Sequence, residues 1–311
     1  MERTAILCDL LGTRYPLMQG GMAHISDARL AAAVSNAGGL GILSAASGDP
    51  EKVAAMIDET RALTDKPFGL NIMLRGNNID ALAALAAEKK VAVVTTGAGS
   101  PAEYIPMWRA AGIKVIPVIS TAAMAQLMEK SGADAVVAEG TESGGHVGEM
   151  TTMALVPQVC DAVSIPVIAA GGIADGRGFA AAIMLGACGV QIGTRFLAAE
   201  ECCIHPEYKA RLLKAKDTST VVTGKRLGHP VRSLKSAFSR AYAKVEYTDI
   251  SDEDLEAMAV GTLRAAVAEG DPKRGCFLAG QISGLVNKEQ PAAEMVAEIM
   301  AEAGKLLGET F

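Results

Sequence analysis

Aromatic side chains are scarce in this 311-residue chain: one Trp, five Tyr and six Phe make up 4% of it. That argues against an aromatic-rich sandwich core. No apolar run is long enough to span a membrane. Met1-Glu2-Arg3-Thr4 opens neither a long apolar stretch nor a cleavage-site pattern, so no signal peptide is expected. Six cysteines occur without a C-x-x-C spacing, and the neighbours Cys202 and Cys203 are not expected to bridge each other. They read as reduced thiols of a cytoplasmic protein. Only four histidines are present, no two at metal-ligand spacing, so no metal centre is expected. Neither a nucleic-acid nor a membrane partner is expected.

Small and aliphatic residues are plentiful instead. Hydrophobic residues reach 50%, and there are 33 glycines. Apolar runs fall near 15–22, 40–46, 68–74, 91–97, 113–120, 134–140, 165–172 and 189–196. Most are Val/Ile-rich and continuous rather than alternating, as expected of strands buried on both faces of a parallel sheet. Ala-rich segments with helical spacing lie between them, such as Asp27 to Ala37, Glu51 to Leu63, Ala122 to Ser131 and Gly178 to Leu185. Eight such units predict an α/β chain folded as a closed (β/α)8 barrel, a TIM barrel, rather than an open doubly wound sheet.

The rhythm stops after Phe196. From 199 to 270 only Thr220-Val221-Val222-Thr223 reads as a short strand, which predicts a small, mostly helical inserted module. The tail from 271 to 311 brings Leu278-Ala279-Gly280-Gln281 and then a helix over Glu294 to Leu307, and is expected to rejoin the barrel. Residues 1–198 and 271–311 then form the barrel, and 199–270 the insert. Between His205 and Lys244, ten Lys and Arg face only Glu207 and Asp217, a net charge of +8 in a chain whose total is −6. Such a window suits an acidic partner or a phosphorylated substrate, or it is a solvated helix face.

The last two strands end in Gly171-Gly172-Ile173-Ala174-Asp175-Gly176 and Gly193-Thr194-Arg195-Phe196. Bare backbone N–H groups at such turns, beside a helix N-terminus, are a ready site for a phosphate. A mononucleotide-type cofactor at the C-terminal face of the barrel follows. His146 stands in Ser143-Gly144-Gly145-His146-Val147-Gly148, directly after the sixth strand, where flanking glycines let the backbone approach a ligand. It is the candidate active-site histidine. His205 and His229 each precede a proline and read as surface or packing residues, and His24 either faces the site or packs. At other strand ends, Gly21 and Met22 suit the face of a flat ring. Asn71 and Thr96 offer polar groups to a heterocycle. Glu139 could accept from a ribityl or ring donor.

Taken together, Gln19-Gly20-Gly21-Met22, Ala37-Gly38-Gly39-Leu40-Gly41, Lys66-Pro67-Phe68-Gly69-Leu70-Asn71, Thr95-Thr96-Gly97-Ala98-Gly99, Gly144-Gly145-His146, the Gly171-Gly172 turn and Gly193-Thr194-Arg195-Phe196 form a recognisable set. It resembles the flavin-dependent barrel family of nitronate monooxygenases and type II enoyl-acyl-carrier-protein reductases. The likeness runs along almost the whole chain. It is closer to the reductase branch through Ala138-Glu139-Gly140-Thr141-Glu142, the Gly-Gly-His loop and Ala279-Gly280-Gln281.

The resemblance implies FMN, with its phosphate on Gly172, Gly193 and Thr194, beside Gly171. It implies Met22 and Asn71 at the ring, Gln281 approaching from the tail, and His146 as the catalytic histidine. It implies NADH or NADPH as electron donor, an enoyl thioester on an acidic acyl carrier protein as substrate, and a place in fatty-acid elongation. The insert would cover the flavin, and its basic window would meet the carrier; a homodimer is compatible with all of this. His24 departs from the pattern, where an aromatic residue is expected. The rival reading is a nitronate monooxygenase that uses FMN and oxygen, and a third is a flavin-binding protein without turnover.

Overall fold

The computed structural model describes residues 2–311. The eight apolar runs are all strands: β1 (Leu17–Gln19), β2 (Gly41–Ser44), β3 (Phe68–Met73), β4 (Val93–Gly97), β5 (Lys114–Ile119), β6 (Val136–Glu139) and, after a two-residue strand β7 (Gly145–His146), β8 (Val167–Ala170) and β9 (Gly189–Ile192). They pair in parallel in the order β1-β9-β8-β6-β5-β4-β3-β2. A parallel bridge between Met18 and Leu40 joins the two ends. Gln19 reinforces that seam, its Oε1 accepting from the Ile42 N–H at 3.1 Å. The sheet is thus a nearly closed TIM-type barrel.

The helices are α1 (Glu2–Leu11), α2 (Ala28–Asn36), α3 (Pro50–Leu63), α4 (Ile79–Lys89), α5 (Ile105–Ala110), α6 (Ala122–Lys130), α7 (Thr152–Ala162) and α8 (Gly176–Met184). In the insert come α9 (Pro206–Leu213), α10 (Ala237–Val245), α11 (Asp252–Ala259) and α12 (Thr262–Val267), and in the tail α13 (Ala292–Leu307). Side chains at the strand–helix junctions start several of them. Asp27, Thr121 and Asp175 accept from the first-turn N–H groups of α2, α6 and α8. α13 packs between α8 and α2 and so supplies the eighth barrel helix after the insert. Its Met295, Val296, Ile299 and Met300 are buried in the same core as β8 and β9.

Met18, Ile42, Val93, Ile116, Val137 and Ile168 fill the barrel interior, and Leu7 and Leu11 of α1 plug its floor. With the floor closed by apolar packing, polar chemistry is confined to the other end. Strand register sets what stands there. Asn71 is opposite Thr95, and Glu139 is opposite Ala170, which in turn is opposite Gln191.

The insert carries more strand than its sequence suggests. β10 (Thr220–Thr223) pairs antiparallel with β11 (Val231–Leu234), and β11 pairs antiparallel with β7. β11 went unseen because Arg232 and Ser233 break the apolar run that marks the other strands, and its pairing with β7 is long-range. Its Arg232 is buried: Nε donates to the Thr141 carbonyl at 3.0 Å and Nη1 to the Thr220 hydroxyl at 3.2 Å. α9 joins the main core through Tyr208 and Leu212, while Phe238, Tyr242 and Leu255 form a small cluster with Cys276.

Candidate active site

A cavity of about 540 Å³ opens at the C-terminal ends of the strands. Gly21, Met22, Asn71, Glu139, His146, Gly171, Gly172, Gly193 and Thr194 all line it. Chain segments far apart in sequence therefore meet there because parallel strands end on one face of the barrel.

One wall is a backbone cradle. Gly171 and Gly172 have φ of +86° and +77°, a conformation that disfavours any side chain. A Cβ on Gly171 would lie 2.6 Å from the Gly140 carbonyl oxygen. Among the described residues, the N–H groups of Gly172, Gly193 and Thr194 have no backbone acceptor. Thr194 is fixed by its hydroxyl, which accepts from the Gly280 N–H at 2.8 Å. Glu142 braces the other side: its carboxylate accepts from the Thr152 N–H at 2.8 Å and the Thr152 hydroxyl at 2.7 Å. The same hydroxyl lies 2.9 Å from the Gly171 carbonyl. Free N–H groups held rigidly in this way fit a phosphate.

The deeper wall is polar at selected points. The Thr95 hydroxyl donates to Asn71 Oδ1 at 2.9 Å, which leaves the Asn71 amide N–H groups for the cavity. Gln191, only 8% exposed, lines the same space, and its Oε1 has no hydrogen-bond partner. A buried acceptor without a donor fits a ligand that brings an N–H or O–H. Burial at the end of β6 raises the Glu139 carboxyl to about 7, and the Ser143 hydroxyl opposes that rise. Donors, an orphaned acceptor and an anion cradle in one cavity fit a phosphate-bearing heterocyclic cofactor.

His146 stands at the mouth. Its backbone is held by β7–β11 pairing and by the Val147 N–H, which donates to the Pro230 carbonyl at 3.0 Å. Desolvation lowers its pKa first, followed by the nearby His229 and then Arg75. The imidazole is therefore neutral around pH 7.

The matches to known proteins agree with this geometry. The nitronate monooxygenase family model covers residues 4–84 and 76–302. The chain belongs to the nitronate monooxygenase family. Its members are flavin-dependent oxidoreductases. Within that family, the chain is similar to FabK from Thermotoga maritima, with 48% identity, 97% of each chain covered and a TM-score of 0.94. It is 35% identical to a (3aS,4S,5R,7aS)-5-hydroxy-7a-methyl-1-oxo-octahydro-1H-indene-4-carboxyl-CoA dehydrogenase of Rhodococcus jostii, over 97% of this chain and 96% of that one. It is 32% identical to a probable nitronate monooxygenase of Staphylococcus aureus, over 97% and 98% of the two chains.

Two residues singled out from the sequence lie outside the lining. Thr96 is buried on the opposite face of β4, and the neighbouring Thr95 is the residue that reaches Asn71. A step of one residue along a strand turns a side chain to the other face. Gln281 is exposed, and its contribution is a backbone N–H donated to the Glu142 carbonyl at 2.8 Å; Gly280 and Ile282 line the cavity instead. His205 caps α9, its Nδ1 accepting from the Glu207 N–H at 3.1 Å. His24 lies beside a second, smaller cavity of about 200 Å³. His229 is exposed, as a surface residue is expected to be, and it also lines the main cavity, as does Arg75. Gln191 had a visible signal, a lone amide in the apolar strand Gly189-Val190-Gln191-Ile192.

Proposed function

We propose that the protein is an FMN-dependent enoyl-acyl-carrier-protein reductase that draws electrons from NADH or NADPH. The observation that carries this reading is the likeness to FabK, an enoyl-acyl-carrier-protein reductase: 48% identity with a TM-score of 0.94, against 32–35% for relatives with other names. The carboxyl-CoA dehydrogenase relative supports an acyl thioester as the substrate class.

Gly172, Gly193 and Thr194 would hold the FMN phosphate, with Asn71, Gln191 and Met22 at the ring system. When bound, FMN supplies a two-electron carrier between the nicotinamide and the enoyl thioester. Reduction adds a hydride at the β-carbon and a proton at the α-carbon. Between the two events, negative charge gathers on the thioester oxygen. His146, held neutral, donates its N–H to that oxygen and orients the chain. The insert, through β11 and the His229 turn, covers the mouth and limits water.

The second reading, a nitronate monooxygenase, has the family model and the Staphylococcus aureus relative in its favour. Product analysis separates the two. Incubation with NADH or NADPH and a crotonyl thioester should give the saturated thioester. Oxygen-dependent turnover of an alkyl nitronate, with no thioester reduction, would overturn the proposal.

A further inference from the structure

The rim of the cavity carries an Arg–His pair that neither the cradle nor His146 accounts for. Arg75 comes from the loop after β3, and His229 from the turn between β10 and β11. Both line the cavity alongside His146. Arg75 Nη1 lies 3.4 Å from His229 Nδ1. A guanidinium can only donate, so Nδ1 accepts and the imidazole hydrogen sits on Nε2. The pair thus retains several N–H donors, and among the described residues Arg75 forms no ion pair. Glu142, an acid of the same cavity, is engaged with Thr152. His229 is held in place by its N–H, which donates to the Gly224 carbonyl at 3.0 Å, and by the Pro230–Val147 contact. Two donor groups from separate elements, one of them permanently charged, face the entrance with no anion of the chain between them.

We propose that Arg75 and His229 form a subsite for a phosphate or pyrophosphate on the arm of a ligand whose reacting end lies beside His146. The inference rests on the reductase reading. Under it, two ligands bring such groups at a distance from their reacting atoms: the nicotinamide dinucleotide and the phosphopantetheine thioester. Guanidinium–phosphate hydrogen bonds are charge-assisted and directional, which suits Arg at this position better than Lys.

Calorimetric titration of the purified, flavin-loaded protein tests it, with inorganic pyrophosphate, NADH, NADPH, crotonyl-CoA and the phosphate-free crotonyl-N-acetylcysteamine as probes. Arg75→Gln and His229→Asn should each weaken pyrophosphate and at least one arm-bearing ligand by about five- to twentyfold, the range of a charge-assisted hydrogen bond at a solvated rim. The salt dependence of that binding should fall as well. Arg75→Lys should recover part of the loss. Binding of the phosphate-free thioester should stay within about twofold. Loss confined to NADH and NADPH assigns the subsite to the dinucleotide, and loss confined to crotonyl-CoA assigns it to the thioester arm. Unchanged binding of every phosphate-bearing probe overturns the proposal. So does equal weakening of the phosphate-free thioester, which would make the pair a strut for the hairpin. Wild-type protein that binds pyrophosphate through this pair but neither nicotinamide nor thioester would overturn the reductase reading and leave the anion subsite standing.

Discussion

His146 and Glu139 sit in one cavity and are pushed toward their neutral forms, His146 at the mouth by partial desolvation beside His229 and Arg75, and Glu139 by burial. For His146, two roles make different forecasts. If its task is to donate a hydrogen bond as a neutral ring, His146→Gln keeps a donor and should retain more thioester reduction than His146→Ala. The alanine variant should keep its flavin and lose about 100- to 10,000-fold in turnover. Equal loss in both variants would assign His146 a proton-transfer role instead. For Glu139, the folded-state pKa of about 7 stands above the ordinary value of 4.5. A raised pKa favours the protonated native state, so its contribution is complete below pH 4.5 and is lost as pH rises through 7. Thermal unfolding of wild type against Glu139→Gln between pH 4.5 and 8.5 should show the wild type losing relative stability over that window, on the order of 1–3 kcal/mol. A pH-independent difference would contradict the burial assigned to this carboxyl.

At the scale of elements, the barrel strands were legible because burial on both faces demands continuous apolar runs, and Gly-rich turns mark their ends. β11 was not, since its pairing with β7 spans more than eighty residues of sequence. Nor does a sequence fix which of Thr95 and Thr96 faces inward: Thr96 was expected there, and Thr95 is the one that reaches Asn71. Nine of the eleven designated site residues line the cavity because strand C-termini converge on one face, whereas Gln281 opens a 3-10 turn (Gln281–Leu285) that leaves its side chain exposed. The glycine turn after β8 gives a graded test. Gly172→Ala places a Cβ 3.5 Å from Glu142, an ordinary contact, so its cost is mainly the positive φ, about 1–2 kcal/mol. Gly171→Ala adds a backbone clash with Gly140 and should cost more, about 2–4 kcal/mol, with marked loss of flavin. Denaturant unfolding and flavin content of the two variants check the order; the reverse order would show that the cradle is built differently.

Across the whole molecule, charge is divided between inner and outer uses. Of the ten cations between His205 and Lys244, four serve the fold. Arg226 donates to the Glu246, Thr248 and Ile250 carbonyls and pairs with Asp252, closing the turn between α10 and α11. Lys209 bonds the Ala199 carbonyl and pairs with Glu289, Arg211 pairs with Glu207, and Arg232 is buried. Lys214, Lys216, Lys225, Lys235, Arg240 and Lys244 are exposed, and under the proposed function these six would be available to an acidic carrier. Exposed charges contribute little singly, about 0–1 kcal/mol each. Reversing all six should slow association with a carrier-bound enoyl thioester and reduce its salt dependence, with little effect on a small thioester. An unchanged ratio between the two substrates would make the surface a solvated one.

Under the proposed function, one cavity takes electrons from a nicotinamide and delivers them to an enoyl thioester. Anaerobic half-reactions followed by absorbance test it most directly. NADH or NADPH should bleach the flavin band of the purified protein, and a crotonyl thioester added afterwards should restore it, with one equivalent of saturated thioester formed per flavin. Bleaching by an alkyl nitronate and by neither nicotinamide, or a reduced protein that the thioester fails to reoxidise, would rule out the reductase.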